Sequence, residues 1–472
     1  MFKKVLVANR GEIATRVIRA CKELSIATAA IYSEADATSL YVKKADESYL
    51  VGPGPIEGYL NIHGIVDLAL KVGVDAIHPG YGFLSENPAF AELCEKKGIT
   101  FIGPTSQAIV NMGDKVMARK MMKKAGVPIV PGSEGSIKSV QEAVFLAKEI
   151  GYPVMVKASG GGGGRGLRIA RDEKELIGGF EIARSESKAA FGVSDVFLEK
   201  YIERPHHIEF QILADKHGNI IHLGERDCSI QRRHQKLIEI APSLILDAEL
   251  REKMGIAAVK AARAANYTNV GTVEFLVDDK KNFYFLEMNT RIQVEHTITE
   301  EVTGIDLVKK QIEIAAGKPL GIGQDKVKAR GFAMECRICA EDPKNNFRPN
   351  SGRVTAYYSP GGIGVRIDGA IYKDYVIPAF YDSMVAKLVV RGMDWEEVVN
   401  RMHRSLDEFV IRGVKTTIPF LRKIMNDPDF KNGNFDTGYI DRKPDMLDYA
   451  EFEDPIDKVA AISAAIAAYH GF

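Results

Sequence analysis

The sequence predicts a mixed α/β and α+β protein built from three globular parts and a short tail. Its 472 residues suit about three domains of ordinary size. Strands and helices alternate through the first hundred residues, which is typical of a parallel sheet with right-handed crossovers. This pattern changes near residue 114 and again near residue 330. We therefore predict an N-terminal α/β domain at 1–114, a second domain at 115–330, a β-rich third domain at 331–446, and a linker with a helical tail at 447–472.

Composition narrows the class of protein. Apolar residues make up 46% and charged residues 27%, as in globular proteins with substantial cores. Basic and acidic residues each total 63, and this balance argues against a protein that coats nucleic acid or an acidic membrane. Five cysteines suit a reducing compartment better than a disulfide framework. With no signal-peptide pattern and no apolar run of the ~18 residues that a membrane helix needs, we expect a cytoplasmic protein.

The first part begins with a predicted apolar strand at 4–8, and further strands are predicted at 27–32 and around 76–77. Asn87 followed by Pro88 predicts the start of a helix, because Asn caps helices well and Pro suits the first turn. Ligands usually bind at the carboxyl ends of parallel strands. The first β-α turn lacks G-x-G-x-x-G, so we do not expect a dinucleotide there.

A run of five glycines at 160–164 lies between two strand-like segments, with Val156 before it and Leu167 and Ile169 after it. Glycine carries a conformational-entropy cost, so the run indicates a need for bare backbone N–H groups that close around phosphate oxygens. A flexible linker is the alternative, although polar flanks would be typical of one. A Walker A loop does not fit, because no Gly-Lys-Ser/Thr follows. Lys157 on the entering strand fits a glycine hairpin over phosphates.

Two apolar segments that flank residues 280–281 predict a hairpin with a two-residue turn. With that turn, Glu274 pairs with Glu287, and Asn289 lies on the same face as Glu287. Like charges that face each other destabilise a hairpin. A divalent cation would remove the repulsion, and Mg²⁺ with ATP phosphates is the common case. The alternative is a solvated strand edge that carries charge.

The residues that follow predict an oxyanion site. If the strand continues, Arg291, Gln293 and Glu295 alternate onto one face beside the predicted metal. A cation and an amide would hold a small oxyanion, and the carboxylate would deprotonate it.

A basic segment at 225–236 contains three arginines, one histidine and one lysine, and we interpret it as an anion-binding loop rather than a merely solvated one. Upstream, His207, Glu209 and Gln211 alternate with apolar residues, which predicts a strand with one polar face. Cys336 and Cys339 lack a second pair, so we interpret them as ordinary strand cysteines rather than a zinc site.

Together these motifs resemble the biotin carboxylase subunit or domain of biotin-dependent carboxylases, in the ATP-grasp superfamily. The resemblance covers about residues 1–446 and rests on residues 8–14, 78–87, 157–166, 225–236 and 287–296. It implies a biotin-carboxylase N-terminal α/β domain, an ATP-grasp domain with a glycine-rich lid at about 130–203, and a C-terminal β-rich domain.

The resemblance implies ATP- and bicarbonate-dependent carboxylation of biotin, with Mg²⁺ or Mn²⁺. Bicarbonate would attack the γ-phosphate to give carboxyphosphate, which releases CO2 beside the ureido ring of biotin. This is the first half-reaction of a biotin-dependent carboxylase, for which pyruvate carboxylase is favoured over acetyl-CoA or other acyl-CoA carboxylases. The final acceptor, which could also be 2-oxoglutarate, stays open.

The resemblance also assigns roles residue by residue. The implied ATP contacts are Lys115, Lys157, Gly162, Gly163, Gly164, Glu199, Lys200, Ile202, His207, Gln231, His234, Glu274 and Glu287. The implied metal ligands are Glu274, Glu287 and Asn289, and bicarbonate would be held by Lys236, Arg291, Gln293 and the backbone of Val294. The implied catalytic residues are Glu295 as general base, Arg337 at the ureido oxygen, and Lys236 and Arg291 at the reacting anions.

The sequence lacks the Met-Lys-Met motif that accepts biotin, so we expect biotin not to be attached to this chain. It would arrive on a carrier protein or on a biotinylated carboxyltransferase subunit. The resemblance implies a homodimer with contacts from Arg19, Glu23 and Arg366, and Ile363 stands where a bacterial relative has Phe. The tail, with Val459, Ile462 and Ile466 on one helical face, resembles that of the carboxylase subunit of two-subunit pyruvate carboxylases. Such a helix also suits docking on its own core.

Two other functions fit parts of the sequence. Another ATP-grasp carboxylate–amine ligase would activate a different carboxylate as an acyl phosphate. A nucleotide-sensing regulatory subunit would bind ATP without turnover, but such a sensor has no need of Glu295 beside Arg291.

Overall fold

A five-stranded parallel sheet forms the N-terminal part of the computed structural model. The strands are β1 (Lys4–Val7), β2 (Ala27–Tyr32), β3 (Glu47–Leu50), β4 (Ala76–His78) and β5 (Thr100–Phe101), in the order β3-β2-β1-β4-β5. The helices are α1 (Gly11–Glu23), α2 (Leu40–Lys44), α3 (Glu57–Leu60), α4 (Ile62–Val72), α5 (Pro88–Lys96) and α6 (Ser106–Gly113). The three predicted strands are confirmed. So is the predicted helix start, because the Asn87 side chain accepts a hydrogen bond from the backbone N–H of Phe90.

The structure describes residues 1–158, 167–191 and 196–449, together with residues 463, 465, 466 and 469. The predicted glycine run, with Gly162, Gly163 and Gly164, therefore lies outside the described residues, and so does most of the predicted tail. Within the part described, no helix combines the length and the apolar character needed to cross a membrane.

A small three-stranded antiparallel sheet occupies the region of the predicted lid. Its strands are β6 (Val154–Ala158), β7 (Leu167–Ala170) and β8 (Val196–Lys200), in the order β7-β6-β8. The helices of this region are α7 (Lys115–Lys124), α8 (Val140–Ile150) and α9 (Glu173–Phe191). Val154, Val156 and Leu198 are fully or almost fully buried, and they pack with Phe180 of α9 in one apolar core.

An eight-stranded antiparallel sheet runs through the rest of the molecule, in the order β13-β12-β9-β10-β11-β14-β21-β19. The strands from here on are β9 (His206–Ala214), β10 (Ile220–Arg232), β11 (Gln235–Ala241), β12 (Asn269–Val277), β13 (Phe283–Asn289), β14 (Phe332–Cys339), β15 (Glu341–Asp342), β16 (Arg348–Pro349), β17 (Gly352–Arg353), β18 (Ala356–Tyr358), β19 (Val365–Gly369), β20 (Val376–Ile377), β21 (Met384–Gly392) and β22 (Val410–Arg412). Because β11 pairs with β14, the sheet is continuous across the boundary predicted near residue 330.

Helices cover this sheet. They are α10 (Ala248–Ala264), α11 (His296–Thr303), α12 (Leu307–Ala315), α13 (Trp395–Glu408), α14 (Ile418–Asn426) and α15 (Pro428–Lys431). Short 3₁₀ turns lie at Glu34–Asp36, Gln324–Lys326, Pro343–Asn345 and Pro444–Leu447. Strand β9 shows why the sheet has a polar and an apolar face: Ile208, Phe210 and Ile212 pack with Met254 of α10, and the polar residues that alternate with them face the other way.

The two-residue turn predicted at 280–281 is wrong, although the predicted pairing of Glu274 with Glu287 is confirmed. Val277 pairs with Phe283, so the loop is longer, and the Asp278 carboxylate stabilises it by accepting from the backbone N–H groups of Lys280 and Asn282. A β-bulge at Leu286 then shifts the register by one residue. Glu274 and Glu287 are consequently paired after all.

Two other local predictions are wrong. The strand predicted to continue through 291–295 ends at Asn289, and an irregular loop leads into α11. The basic segment at 225–236 is mostly strand: β10 continues to Arg232, Arg233 and His234 form the turn with φ of 49° and 65°, and β11 follows. Pairing with β9 up to Asp227 and with β11 up to Arg232 leaves residues 225–231 buried in the sheet, whereas the turn at Arg233 and His234 is exposed. Cys336 and Cys339 are buried in β14, as predicted.

Candidate active site

A cavity of about 1310 Å³ lies where the loops after β1 and β4 meet the polar face of the long sheet. The predicted site residues that line it are Lys157, Glu199, Lys200, Ile202, His207, Gln231, His234, Lys236, Glu274, Glu287, Asn289, Arg291, Gln293, Val294, Glu295 and Arg337. Lys115, at the start of α7, is not among the lining residues. Its charge still reaches the cavity, because it lowers the pKa of Glu287 against the effect of burial.

The Lys236 ammonium is the centre of the site. It lies 2.6 Å from a carboxylate oxygen of Glu209, 3.2 Å from Glu274 and 2.6 Å from Glu295. Burial disfavours a charged lysine, but the surrounding carboxylates outweigh this effect and hold the pKa of Lys236 well above its usual range. One cation thus lies among three buried carboxylates, of which Glu209 is also bound by Arg226 and Glu295 by Arg337.

Glu295 is buried between two cations. Its Oε1 accepts from Lys236 Nζ at 2.6 Å, and its Oε2 accepts from Arg337 Nη2 at 2.9 Å. Burial alone would raise the pKa of this carboxyl, but Lys236 and Arg337 outweigh burial and lower it. Glu295 is therefore ionised at neutral pH, and it lies between Lys236, which the resemblance assigns to bicarbonate, and Arg337, which it assigns to biotin.

Arg226 holds the back of the site together, which is not the role predicted for it. Its side chain is fully buried, and its Nε donates to Glu209 at 2.6 Å. The other donors reach Gln211 at 2.6 Å, Thr299 at 2.9 Å, Thr272 at 3.1 Å and Gln293 at 2.7 Å. With these five partners the guanidinium is a structural group, so its predicted part in an anion-binding loop is wrong.

The sequence carries a signal for Glu209 but none for the role of Arg226. The alternation of strand β9 places Glu209 and Gln211 on the face that also carries His207. In the structure Arg226 is the register partner of Glu209 on β10. The sequence could not show that pairing, because it depends on the register of two strands.

Glu274, Glu287 and Asn289 fit a divalent cation. Glu274 and Glu287 are register partners, and burial together with the charge of Glu274 raises the pKa of Glu287. Among the described residues none donates a hydrogen bond to the Glu287 carboxylate, whereas Glu274 accepts from Asn289 at 2.8 Å and contacts His207 at 2.7 Å. Carboxylate and amide oxygens are the ligands that Mg²⁺ prefers. A cation here would relieve the repulsion between the two carboxylates.

The tightest groups of possible ligands in the described part of the chain are different ones. They are His207, Glu209 and Glu274 in one group, and Glu209, Cys228 and Glu295 in the other. Lys236 already lies among the carboxylates of these groups, which makes them poorer cation sites than the Glu274–Glu287 pair. The Glu274 carboxylate is common to the first group and to the predicted metal site.

The predicted oxyanion residues meet in the cavity although they do not lie on a strand. Gln293 is fixed from both sides, because its Oε1 accepts from Arg226 and its Nε2 donates to Glu274 at 2.7 Å. Arg291 donates to Asn289 at 2.9 Å and to Glu86 at 3.0 Å. The carbonyl of Val294 accepts from Lys387 at 2.9 Å. Buried hydrogen bonds, rather than strand periodicity, therefore hold this loop in place.

The other end of the cavity suits a nucleotide base. Lys157 and Arg119 both bind the Glu199 carboxylate, and Lys200 donates to two backbone carbonyls. Leu276 and Leu286 line the same region and were not predicted from the sequence. Leu276 lies two residues after Glu274 on β12 and therefore on the same face, so its position in the cavity could have been predicted from the sequence. The Leu286 side chain is 42% exposed at the bulge, which the sequence does not reveal.

Family comparisons agree with this geometry. The family described as "Biotin carboxylase, N-terminal domain" matches residues 1–109, and "Biotin carboxylase C-terminal domain" matches residues 335–442. Between them, "Carbamoyl-phosphate synthase L chain, ATP binding domain" matches residues 114–322.

Individual proteins match over almost the whole chain. The 2-oxoglutarate carboxylase small subunit of Hydrogenobacter thermophilus is 59% identical over 471 residues, covering 100% of both chains. A pyruvate carboxylase subunit of Methanothermobacter thermautotrophicus is 55% identical over 487 residues, covering 99% of each. The crystal structure of the Hydrogenobacter thermophilus 2-oxoglutarate carboxylase biotin carboxylase domain dimer, in complex with MgADP, ADP and bicarbonate, has a TM-score of 0.89 at 59% identity. It covers 96% of this chain and 100% of that one.

These matches confirm the three-part architecture and the enzyme class predicted from the motifs. The chain therefore belongs to the biotin carboxylases, the ATP-grasp ligases that use ATP, Mg²⁺ and bicarbonate to carboxylate biotin.

Proposed function

We propose that this protein performs the biotin carboxylase half-reaction with the residues predicted for it. Its reaction centre is the hydrogen-bonded row Lys236–Glu295–Arg337. The observation that supports this most strongly is the placement of Glu295. One of its oxygens is bound to Lys236 and the other to Arg337, so the base touches both the cation for bicarbonate and the cation for biotin.

Bicarbonate would bind between Lys236, Arg291 and Gln293, with its hydroxyl toward Glu295. An oxygen of bicarbonate attacks the γ-phosphorus of ATP, ADP leaves, and Glu295 takes the bicarbonate proton. The product, carboxyphosphate, decomposes to CO2 and phosphate. The phosphate so released removes the ureido proton of biotin, and the resulting nitrogen anion attacks CO2. Arg337 stabilises the negative charge that develops on the ureido oxygen.

The low pKa of Glu295 is a disadvantage for a base, because Lys236 and Arg337 stabilise its ionised form. Substrate anions compete for the same two cations. When Lys236 turns to bicarbonate and phosphate, and Arg337 to biotin, Glu295 loses its stabilising partners and its pKa rises. We propose that substrate binding thereby makes Glu295 a stronger base only when both substrates are present.

The nucleotide would lie across the cavity. Lys115 and Lys157 would bind its phosphates, Gly162, Gly163 and Gly164 would close over them, and the base would lie against Leu276, Leu286 and Ile202. The remaining proposed contacts are Glu199, Lys200, His207, Gln231 and His234. Bound Mg²⁺, held by Glu274, Glu287 and Asn289, would neutralise phosphate charge. Lys157 would exchange Glu199 for phosphate when ATP enters.

Glu287→Gln tests the metal site. The substitution removes one charged ligand, so we expect the Mg²⁺ concentration for half-maximal ATP turnover to rise about tenfold, the scale of one charge-assisted contact. It also removes the repulsion from Glu274, so unfolding in the presence of a chelator should occur at a higher temperature than for the native protein. Glu249→Gln, an exposed glutamate of α10, is the matched control and should change neither quantity. An unaltered Mg²⁺ requirement in Glu287→Gln would remove Glu287 from the metal site.

We also propose that the chain works with a separate biotin-bearing partner, in the cytoplasm, and as a homodimer. Relatives of full length are named as subunits of 2-oxoglutarate carboxylase and pyruvate carboxylase, and one related structure is a dimer. Surface residues suit the predicted dimer contact: Ile363 is 89% exposed, and the side chains of Arg19 and Glu23 are 44% and 62% exposed. Arg366 is bound to Asp368 at 2.7 Å and to Glu300 at 2.8 Å.

We also propose the domain boundaries at residues 114, 330 and 446.

The second half-reaction transfers the carboxyl group from biotin to a final acceptor. The matches favour a 2-oxo acid, pyruvate or 2-oxoglutarate, as acceptor over an acyl-CoA. Purified native protein should turn over ATP only when bicarbonate and biotin, or a biotinylated partner, are both present. Identifying the biotinylated protein that co-purifies with it should then reveal a transferase domain for a 2-oxo acid. Turnover with bicarbonate replaced by an amino acid or another carboxylate would support a different ATP-grasp ligase instead.

A further inference from the structure

Two buried glutamates face each other directly behind Arg337. Glu239 on β11 is the register partner of Glu335 on β14, and both are 0% exposed. Side chains of directly opposite residues on adjacent antiparallel strands lie on the same face, with Cβ atoms about 5 Å apart. Two ionised carboxylates in this arrangement would repel each other strongly, because the low dielectric of a buried region screens charges poorly.

The hydrogen bonds of the pair are incomplete in a specific way. Glu239 accepts from Arg337 Nε at 2.6 Å through Oε1, and Glu335 accepts from the Thr297 hydroxyl through Oε2. The remaining oxygens, Oε2 of Glu239 and Oε1 of Glu335, are buried and have no hydrogen-bond donor among the described residues. A proton on one carboxyl would supply the missing donor, because a protonated carboxyl donates and a carboxylate accepts.

The charges around the pair also leave one carboxyl without a cation. The ionisable groups around it are Lys236 on β11, Arg337 on β14, Lys387 on β21, Glu295 on the loop before α11, and Tyr81 on the loop after β4. The Cys336 side chain packs in the apolar core on the opposite face of β14. Lys387 is bound to Glu12 at 3.1 Å, and Lys236 is surrounded by its own three carboxylates. Arg337 is shared between Glu239 and Glu295.

The pKa shifts of the two side chains agree with this shortage of cations. Burial raises the pKa of Glu239 to about 7, against the opposing effect of Arg337. Burial raises the pKa of Glu335 well above its usual range, and the opposing Lys387 does not compensate for it. Glu335 is therefore the member of the pair that keeps its proton at neutral pH, while Glu239 is the partner of Arg337.

We propose that Glu239 and Glu335 share one proton as a carboxyl–carboxylate pair, and that this pair positions Arg337 for the ureido oxygen of biotin. The proposal rests on the biotin role proposed for Arg337. Glu239 binds the Nε edge of the guanidinium, which directs the Nη groups toward Glu295 and the cavity. With Glu335 neutral, a single negative charge lies behind Arg337, so the guanidinium can still leave Glu295 and bind substrate.

The shared proton can be observed without any activity. Infrared spectra of the full-length protein at neutral pH should show the carbonyl stretch of a buried protonated carboxyl group, and Glu335→Gln should remove that band. Glu225→Gln is the control, because Glu225 is also buried and bound to an arginine, Arg251, at 2.8 Å, but lies outside the pair. It should leave the band in place. If the native protein and Glu335→Gln show the same band, the shared proton is overturned.

The positioning role needs a kinetic measurement. Glu239→Gln removes a charge-assisted hydrogen bond to Arg337, so we expect the KM for free biotin to rise by about tenfold or more. The KM for ATP should stay unchanged. Glu335→Gln should raise the KM for biotin less than Glu335→Leu does, because only glutamine keeps a donor for Glu239. A biotin KM in Glu239→Gln that matches the Glu225→Gln control would overturn the positioning role.

These two measurements separate this inference from the function it builds on. An infrared band that depends on Glu335, in a protein without biotin-dependent ATP turnover, would support the shared proton and contradict the biotin carboxylase function. Biotin-dependent turnover without the band would support the function and overturn the pair.

Discussion

Glu295→Gln is expected to lower the rate of biotin carboxylation by ~10²-fold or more, the usual scale for the loss of a general base, while ATP still binds. Glutamine has nearly the shape of glutamate but cannot accept a proton from bicarbonate. Glu295 is buried and contacts Lys236 and Arg337, so its removal affects the chemical step directly. ATP affinity measured by calorimetry should change little, because the proposed nucleotide contacts lie elsewhere in the cavity.

The matched control for this variant is Glu301→Gln. Glu301 lies on the same chain segment, in α11, and its side chain is 25% exposed beside Arg366. This control should keep its activity. If Glu295→Gln carboxylated biotin at the native rate, Glu295 would not be the base. Loss of ATP binding in Glu295→Gln would instead mean that the substitution disturbs the site as a whole.

Arg226→Met is expected to lower the free energy of unfolding by about 3–5 kcal/mol, because it takes one of two cations from the buried Glu209 and leaves other buried polar groups unpaired. Glu209 would keep only Lys236, and the side chains of Gln211, Thr299, Thr272 and Gln293 would lose their donor. Denaturant titration measures the loss. Activity should fall as well, because Gln293 and Glu209 would no longer be held in place.

Arg233→Met is the control for that prediction. Arg233 belongs to the same basic segment but lies at the β10–β11 turn, where its contact is a hydrogen bond of 3.3 Å to Asn346. A surface substitution of this kind should change the free energy of unfolding by no more than about 0.5 kcal/mol. Equal losses for both variants would show that the buried network around Arg226 adds nothing to stability.

Local patterns predicted much of the fold. Three of the five strands of the N-terminal sheet, the cap at Asn87 and the polar face of β9 follow from periodicity and capping, which are properties of neighbouring residues. The longer motifs then led to the enzyme family, which local patterns alone do not specify.

The site shows where such reasoning stops. Glu274 was predicted to face Glu287 through a two-residue turn, and it does so only because a longer turn is compensated by a bulge at Leu286. Arg226 was predicted to bind anions, and it is instead a buried group with five internal partners. Both errors concern register and long-range contacts. The pairing of Glu239 with Glu335, nearly a hundred residues apart, is of the same kind.

The most direct test of the account is the fate of bicarbonate oxygen. Native protein is given ATP, biotin and bicarbonate labelled with heavy oxygen, and the phosphate produced is analysed by mass spectrometry. If bicarbonate attacks the γ-phosphorus, each phosphate released with carboxybiotin carries one labelled oxygen. Phosphate without label, formed together with carboxybiotin, would contradict carboxyphosphate as the intermediate and with it the proposed roles of Lys236, Arg291 and Glu295.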